Sequence, residues 1–131
     1  MSYSDNIQNF LDFLRQAKRE YQIAMTEEKE KDDASQDLDH YLELGDNGYH
    51  DIAKIAKARV QVRRERRQAK DRQQELRPVT DWIYQNSRVI KSLEELLGAV
   101  RRAEKSLENR TYHPKTNILK QVLGGESGHD G

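Results

Sequence analysis

The apolar residues of this chain are few, and their helical spacing constrains the fold more than any other feature. Ile7, Phe10, Leu11, Leu14, Ala17, Tyr21, Ala24 and Met25 recur mostly at gaps of three and four, which places them on one helix face. The next twelve residues, TEEKEKDDASQD (26–37), are almost wholly polar but contain neither Pro nor Gly, and the stripe resumes at Leu38, Tyr41 and Leu42. The pattern predicts one helix from a cap at Ser4 or Asp5 to Leu44, about 60 Å long. At 34% apolar and 35% charged residues, such helices bury narrow seams; periodicity and only two prolines argue against disorder. Helices this polar cover one another poorly, which predicts a homo-oligomer.

GDNG (45–48) is the strongest turn, with Gly45 ending the first helix and Asp46 or Asn47 available to cap the second. The second helix runs from about Tyr49 through Ile52, Ile55, Ala56, Val62, Ala69 and Leu76 to Pro78, which kinks or ends it. WIYQN keeps helical character, and Asn86-Ser87 reads as a cap. A third helix, Ser87 to Asn109, carries Val89, Ile90, Leu93, Leu96, Leu97, Val100, Ala103 and Leu107 in the cleanest stripe of the chain. Val79, Trp82 and Ile83 are expected where the second and third helices meet. RTYHPKTN (110–117) reads as extended, ILKQVL as one more turn or a short strand, and GGESGHDG as a disordered tail. The expected organisation is an all-α, coiled-coil-like bundle over 1–112, a long antiparallel hairpin plus a third helix. An extended segment and Gly-rich tail fill 113–131.

The absence of cysteine excludes disulfides and thiolate metal sites. MSYSDNIQNF lacks the pattern of a signal peptide, and no window approaches the ~18 apolar residues of a membrane span. The expectation is a cytoplasmic protein with no membrane partner, in which the sequon at Asn109 is fortuitous.

One stretch bears on function. RVQVRRERRQAKDR (59–72) holds seven basic residues, six of them arginine, in a chain of net charge zero. If the first two helices fold back at GDNG, facing residues have numbers summing to about 93. Arg66 then meets Glu27, Arg63 meets Glu30, and Val60 meets Asp33. Seven carboxylates against two lysines give 26–39 a net −5, and nine cations against Glu65 and Asp71 give 54–72 a net +7. Most of the basic charge is thus answered internally. Two features point to a ligand instead. Arg59 and Arg66 fall on the seam itself, where a guanidinium needs a carboxylate or an anionic ligand. Arg63, Arg66, Arg67 and Lys70 share one broad face, and arginine's planar fork suits phosphate. Arg110 and Tyr112 are candidate helpers from the C-terminal segment.

Duplex nucleic acid fits less well, because the net charge is zero and an acidic interval lies beside the basic one. No aromatic residue interrupts the basic run to form a stacking platform for single strands. The acidic EEKEKDD run supplies half of a Mg²⁺ site of the all-helical pyrophosphohydrolase type, but Glu65 and Asp71 sit among arginines. His40, His50, His113 and His129 have no metal spacing. Neither a Gly-rich phosphate loop nor a nucleophile–His–acid arrangement is present. The expectation is a protein that is not an enzyme and needs no cofactor.

Gln36-Asp37-Leu38, Glu43-Leu44-Gly45, Arg66-Arg67, Lys70-Asp71 and Asn109 to Tyr112, behind a helical start NFLDFLRQAKREY, resemble a group of small helical proteins of phages and prophages of Gram-positive bacteria. The resemblance spans residues 5 to 115. It implies a phage setting and no particular activity; a counter-defence role by binding a host protein or sequestering a nucleotide signal follows from that setting. The expected function is non-catalytic binding. Arg59, Arg63, Arg66, Arg67 and Lys70 hold a phosphorylated small ligand, such as a cyclic nucleotide, or an acidic protein surface. The rival is an interaction module whose arginines make only internal salt bridges.

Overall fold

Ser2 caps the first helix, two residues before the earliest expected cap. Its hydroxyl accepts from the Asp5 amide at 3.1 Å and its own amide donates to Asp5 Oδ2 at 3.2 Å. Asp5 therefore occupies the third helical position and closes a capping box rather than starting the helix. The computed structural model describes residues 2–45, 48–110 and 113–129, excluding the side chains of 125–129. Among these residues there are four helices and no strand: α1 (Tyr3–Leu44), α2 (Tyr49–Gln85), α3 (Ser87–Glu108) and α4 (Ile118–His129). The all-α fold expected from periodicity is present, with α1 and α2 packed along each other as a hairpin. The backbone of α4 runs on into the stretch that composition reads as a tail.

Helix α1 crosses the polar interval without a break because α2 answers it. Asp39 pairs with Arg59 (2.8 Å), Asp32 with Arg66, Lys31 with Glu65 (2.6 Å) and Glu27 with Arg72 (3.4 Å). The numbers of these partners sum to 96–99, which corrects the expected 93: Arg66 meets Asp32 rather than Glu27, and Arg63 does not meet Glu30. The physical reason is side-chain direction. Helical side chains lean toward their own N-terminus, so in an antiparallel pair the two leans diverge and the residues that touch lie further along both chains than the turn alone implies.

Pro78 does not end α2, which passes through it and continues to Gln85. The ring removes the amide that would reach the Gln74 carbonyl, and the buried Thr80 hydroxyl donates to Arg77 O at 3.0 Å. The break falls at Asn86, whose backbone amide and side-chain Nδ2 both donate to Trp82 O at 2.9 Å. Asn86 thus closes α2, and no side chain caps the start of α3.

Helix α3 then packs on the N-terminal half of α1 and barely touches α2. Arg15 meets Glu94 at 3.4 Å and Arg101 donates to Gln8 at 2.8 Å, so facing numbers have risen to 109. The slip relative to α2 is absorbed where helical bonding is interrupted, at Pro78 and Asn86. The core is thin: Leu11, Leu14, Ala17 and Ala24 of α1, Ala69, Gln73 and Thr80 of α2, and Leu97 of α3. Trp82, expected in the joint, is 38% exposed. Among the described residues, helix α4 packs against none of the other three.

Candidate anion-binding flank

Two of the five cluster cations are held by α1. Arg66 Nε donates to Asp32 Oδ1. Arg59 Nε lies 2.8 Å from Asp39 Oδ1, yet its N–H has no hydrogen-bond acceptor, so this contact is an ion pair without good donor geometry. Both arginines are only partly buried. A carboxylate thus stands at each seam arginine, hydrogen-bonded at Arg66 and only ion-paired at Arg59.

The remaining three are different. Arg63 and Lys70 have no ion partner among the described residues, and Arg67 has only Asp71, four residues on, at 3.9 Å with both side chains well exposed. Arg67 and Lys70 line an open groove of about 510 Å³ together with Arg77, Gln73 and Gln74. Two carboxylates border it, Asp71 and Glu28. Glu28 is already bound: Gln73 Nε2 donates to its Oε2 at 2.6 Å, and lies 3.3 Å from Ala24 O. This buried glutamine fixes the floor of the groove.

Arg77 is a site residue that the sequence pattern did not single out, although it lies seven residues after Lys70 and shares its face. A second groove, about 620 Å³, is lined by Lys54, Lys57 and Arg64 on the opposite flank of α2. Arg110 is not brought to the cluster. It follows α3, whose Arg101 sits at Gln8, whereas Gln73 sits at Ala24, about 24 Å further along α1. Its backbone amide donates to Leu107 O at 3.3 Å. Tyr112 lies outside the described residues.

Among the described residues no group of three or more His, Cys, Asp or Glu is placed to hold a metal ion, and none of the helices is long and apolar enough to cross a membrane. Fold and flanks together define an all-α helical hairpin with a basic groove on each flank of α2. No family model matches the chain, and neither a curated protein nor a solved structure matches it.

Proposed function

We propose that this is a non-catalytic, self-associating protein that binds a phosphorylated small ligand, of which a cyclic nucleotide is one class, on the flank of α2. The observation that carries the reading is the groove of Arg67, Lys70 and Arg77, in which Lys70 and Arg77 have no ion partner among the described residues. Its volume falls in the range of small-molecule sites, and guanidinium groups with free N–H donors suit phosphate oxygens. The phage-type, counter-defence setting in the host cytoplasm rests on the sequence resemblance alone.

Self-association is supported by surface. The chain exposes 10,894 Å², about half as much again as the roughly 7,200 Å² of a compact monomer of this mass. Phe10, Phe13, Val89, Leu96 and Leu107 are all more than 40% exposed, and a second copy is the simplest cover for them. The alternative, an interaction module without a ligand, is supported by the pairs at Arg59, Arg66 and Arg72.

Calorimetric titration of wild type and Lys70→Ala with cyclic di- and trinucleotides and inorganic triphosphate decides between them. The expected result is binding by the wild type that is lost in Lys70→Ala at unchanged thermal stability. Binding of every compound weaker than about millimolar, ~4 kcal/mol, favours the interaction module. Binding that survives Lys70→Ala but is lost in Arg64→Ala places the site in the second groove.

A further inference from the structure

The basic flank of α2 does not stop at the groove. Arg63, Lys70, Arg77 and Tyr84 are spaced by seven residues, and a straight helix turns by only ~20° per heptad against such a spacing. They form one slowly winding stripe, with Arg67 and Gln74 beside it. The drift carries the stripe toward α1 and brings Tyr84 to Lys18, whose Nζ lies 5.5 Å from the ring centroid. Tyr84 is nevertheless 66% exposed: a π-surface with a cation against it, at the end of a row of cations. From Arg63 to Tyr84 the stripe is about 32 Å long, more than one nucleotide can span.

We infer that the phosphorylated ligand of this flank is a short single-stranded oligonucleotide, with its phosphates on Arg63, Arg67, Lys70 and Arg77 and one base stacked on Tyr84. This rests on the groove's being the phosphate site and names the ligand class. Aromatic stacking accepts any base, and the cationic track supplies the salt-dependent part of the affinity. The stacking platform that the basic run itself lacks is thus provided two turns after Arg77 on the same face. Three carboxylates oppose the strand: Glu28, held by Gln73, and Asp71, near Arg67, border the groove, and Asp81 lies four residues after Arg77 on this face. Of these only Asp81 has no partner among the described residues, and its carboxylate repels the strand most directly.

Fluorescence anisotropy with a labelled six-nucleotide DNA strand and its abasic counterpart, which has the same phosphates, tests the assignment in the intact chain. Wild type should bind the base-bearing strand roughly tenfold or more tightly than the abasic one. Tyr84→Ala should erase that preference while leaving abasic binding unchanged, and Tyr84→Phe should keep it. Asp81→Asn should tighten both strands. The slope of log affinity against log salt should approach about −2.8 for four cations and fall by about 0.7 in Lys70→Ala. Equal binding of the two strands by wild type, or a preference that survives Tyr84→Ala, overturns the inference and leaves the phosphate site standing. Failure of both strands and of inorganic triphosphate to bind overturns the phosphate site as well.

Discussion

The two ends of α1 are held in opposite ways. Near its N-terminus, Leu11 and Leu14 are almost fully buried, with Leu97 of α3 as their buried counterpart. From Glu27 to Asp39 the same helix is held to α2 by ion pairs whose side chains are mostly a third to a half exposed. Burying a leucine contributes about 1.5–3 kcal/mol, and an exposed ion pair ~0–1 kcal/mol. The apolar end therefore supplies most of the stability, and the charged half chiefly selects register: shifting α2 by one turn would break all four pairs, setting Glu65 against Glu27 in one direction and Arg72 against Lys31 in the other.

The largest expected effect breaks the apolar end. Leu11→Ala should cost about 2–5 kcal/mol in urea unfolding, with an unchanged pattern of charged contacts. A cost under about 1 kcal/mol would mean that the two ends do not differ in kind.

Gln73 joins the two regimes, being a buried polar residue on the seam between the charged half and the leucines. Gln73→Leu keeps its bulk but removes the donor to Glu28 Oε2. The stranded carboxylate should cost about 1–2 kcal/mol, and Glu28→Gln in the same chain should recover part of it. Independent, additive effects in this double-mutant cycle would show that the glutamine only fills space.

Within the charged half, Asp32→Ala should cost no more than about 1 kcal/mol, because Arg66 and Asp32 are 39% and 44% exposed. Glu30→Lys should change stability by less than about 0.5 kcal/mol, since Glu30 faces no arginine of α2. Reversing these two magnitudes, by the same urea measurement, would restore the register implied by the turn alone.

That register marks where sequence reasoning ran out. Three helix limits were legible because punctuation is local: Gly45 ends α1, Tyr49 begins α2, and Ser87 begins α3 within a residue of expectation. The all-α hairpin followed from apolar spacing. The partners of Arg63 and Arg66 were not legible, because a lean of a few ångströms in opposite directions on two helices moves the contact by more than a helical turn. The basic flank was half legible. Arg63, Arg67 and Lys70 stood out as a run, but Arg77 and Tyr84 belong to it only through a heptad that passes Pro78, where composition suggested a break. Tyr84 carries no sign of its role until Lys18 of another helix is seen against its ring.

The smallest effect concerns the Lys31–Glu65 ion pair, at 2.6 Å, and it is visible as a dependence on pH and on salt. Glu65 is held below its ordinary pKa of 4.5, first by the Lys31 ammonium and then by the Gln61 amide, 2.8 Å away. Lys31 is raised above 10.5 by the same carboxylate. A depressed acid contributes stability that is present above its unfolded pKa and is lost as pH falls through the folded value. A raised base contributes stability that is present below its unfolded pKa and is lost as pH rises through the folded value. The pair is therefore intact between about pH 5 and pH 10 and weakens on either side. The difference in urea midpoint between wild type and Lys31→Met should be flat across that window and shrink below pH 4.5 and above pH 10.5. It should also shrink in 1 M salt, where the screening length is about 3 Å, whereas the cost of Leu11→Ala should not. A salt-insensitive Lys31→Met effect would show that its methylenes pack as the leucines do, and the contrast between the two ends of α1 would then be one of degree.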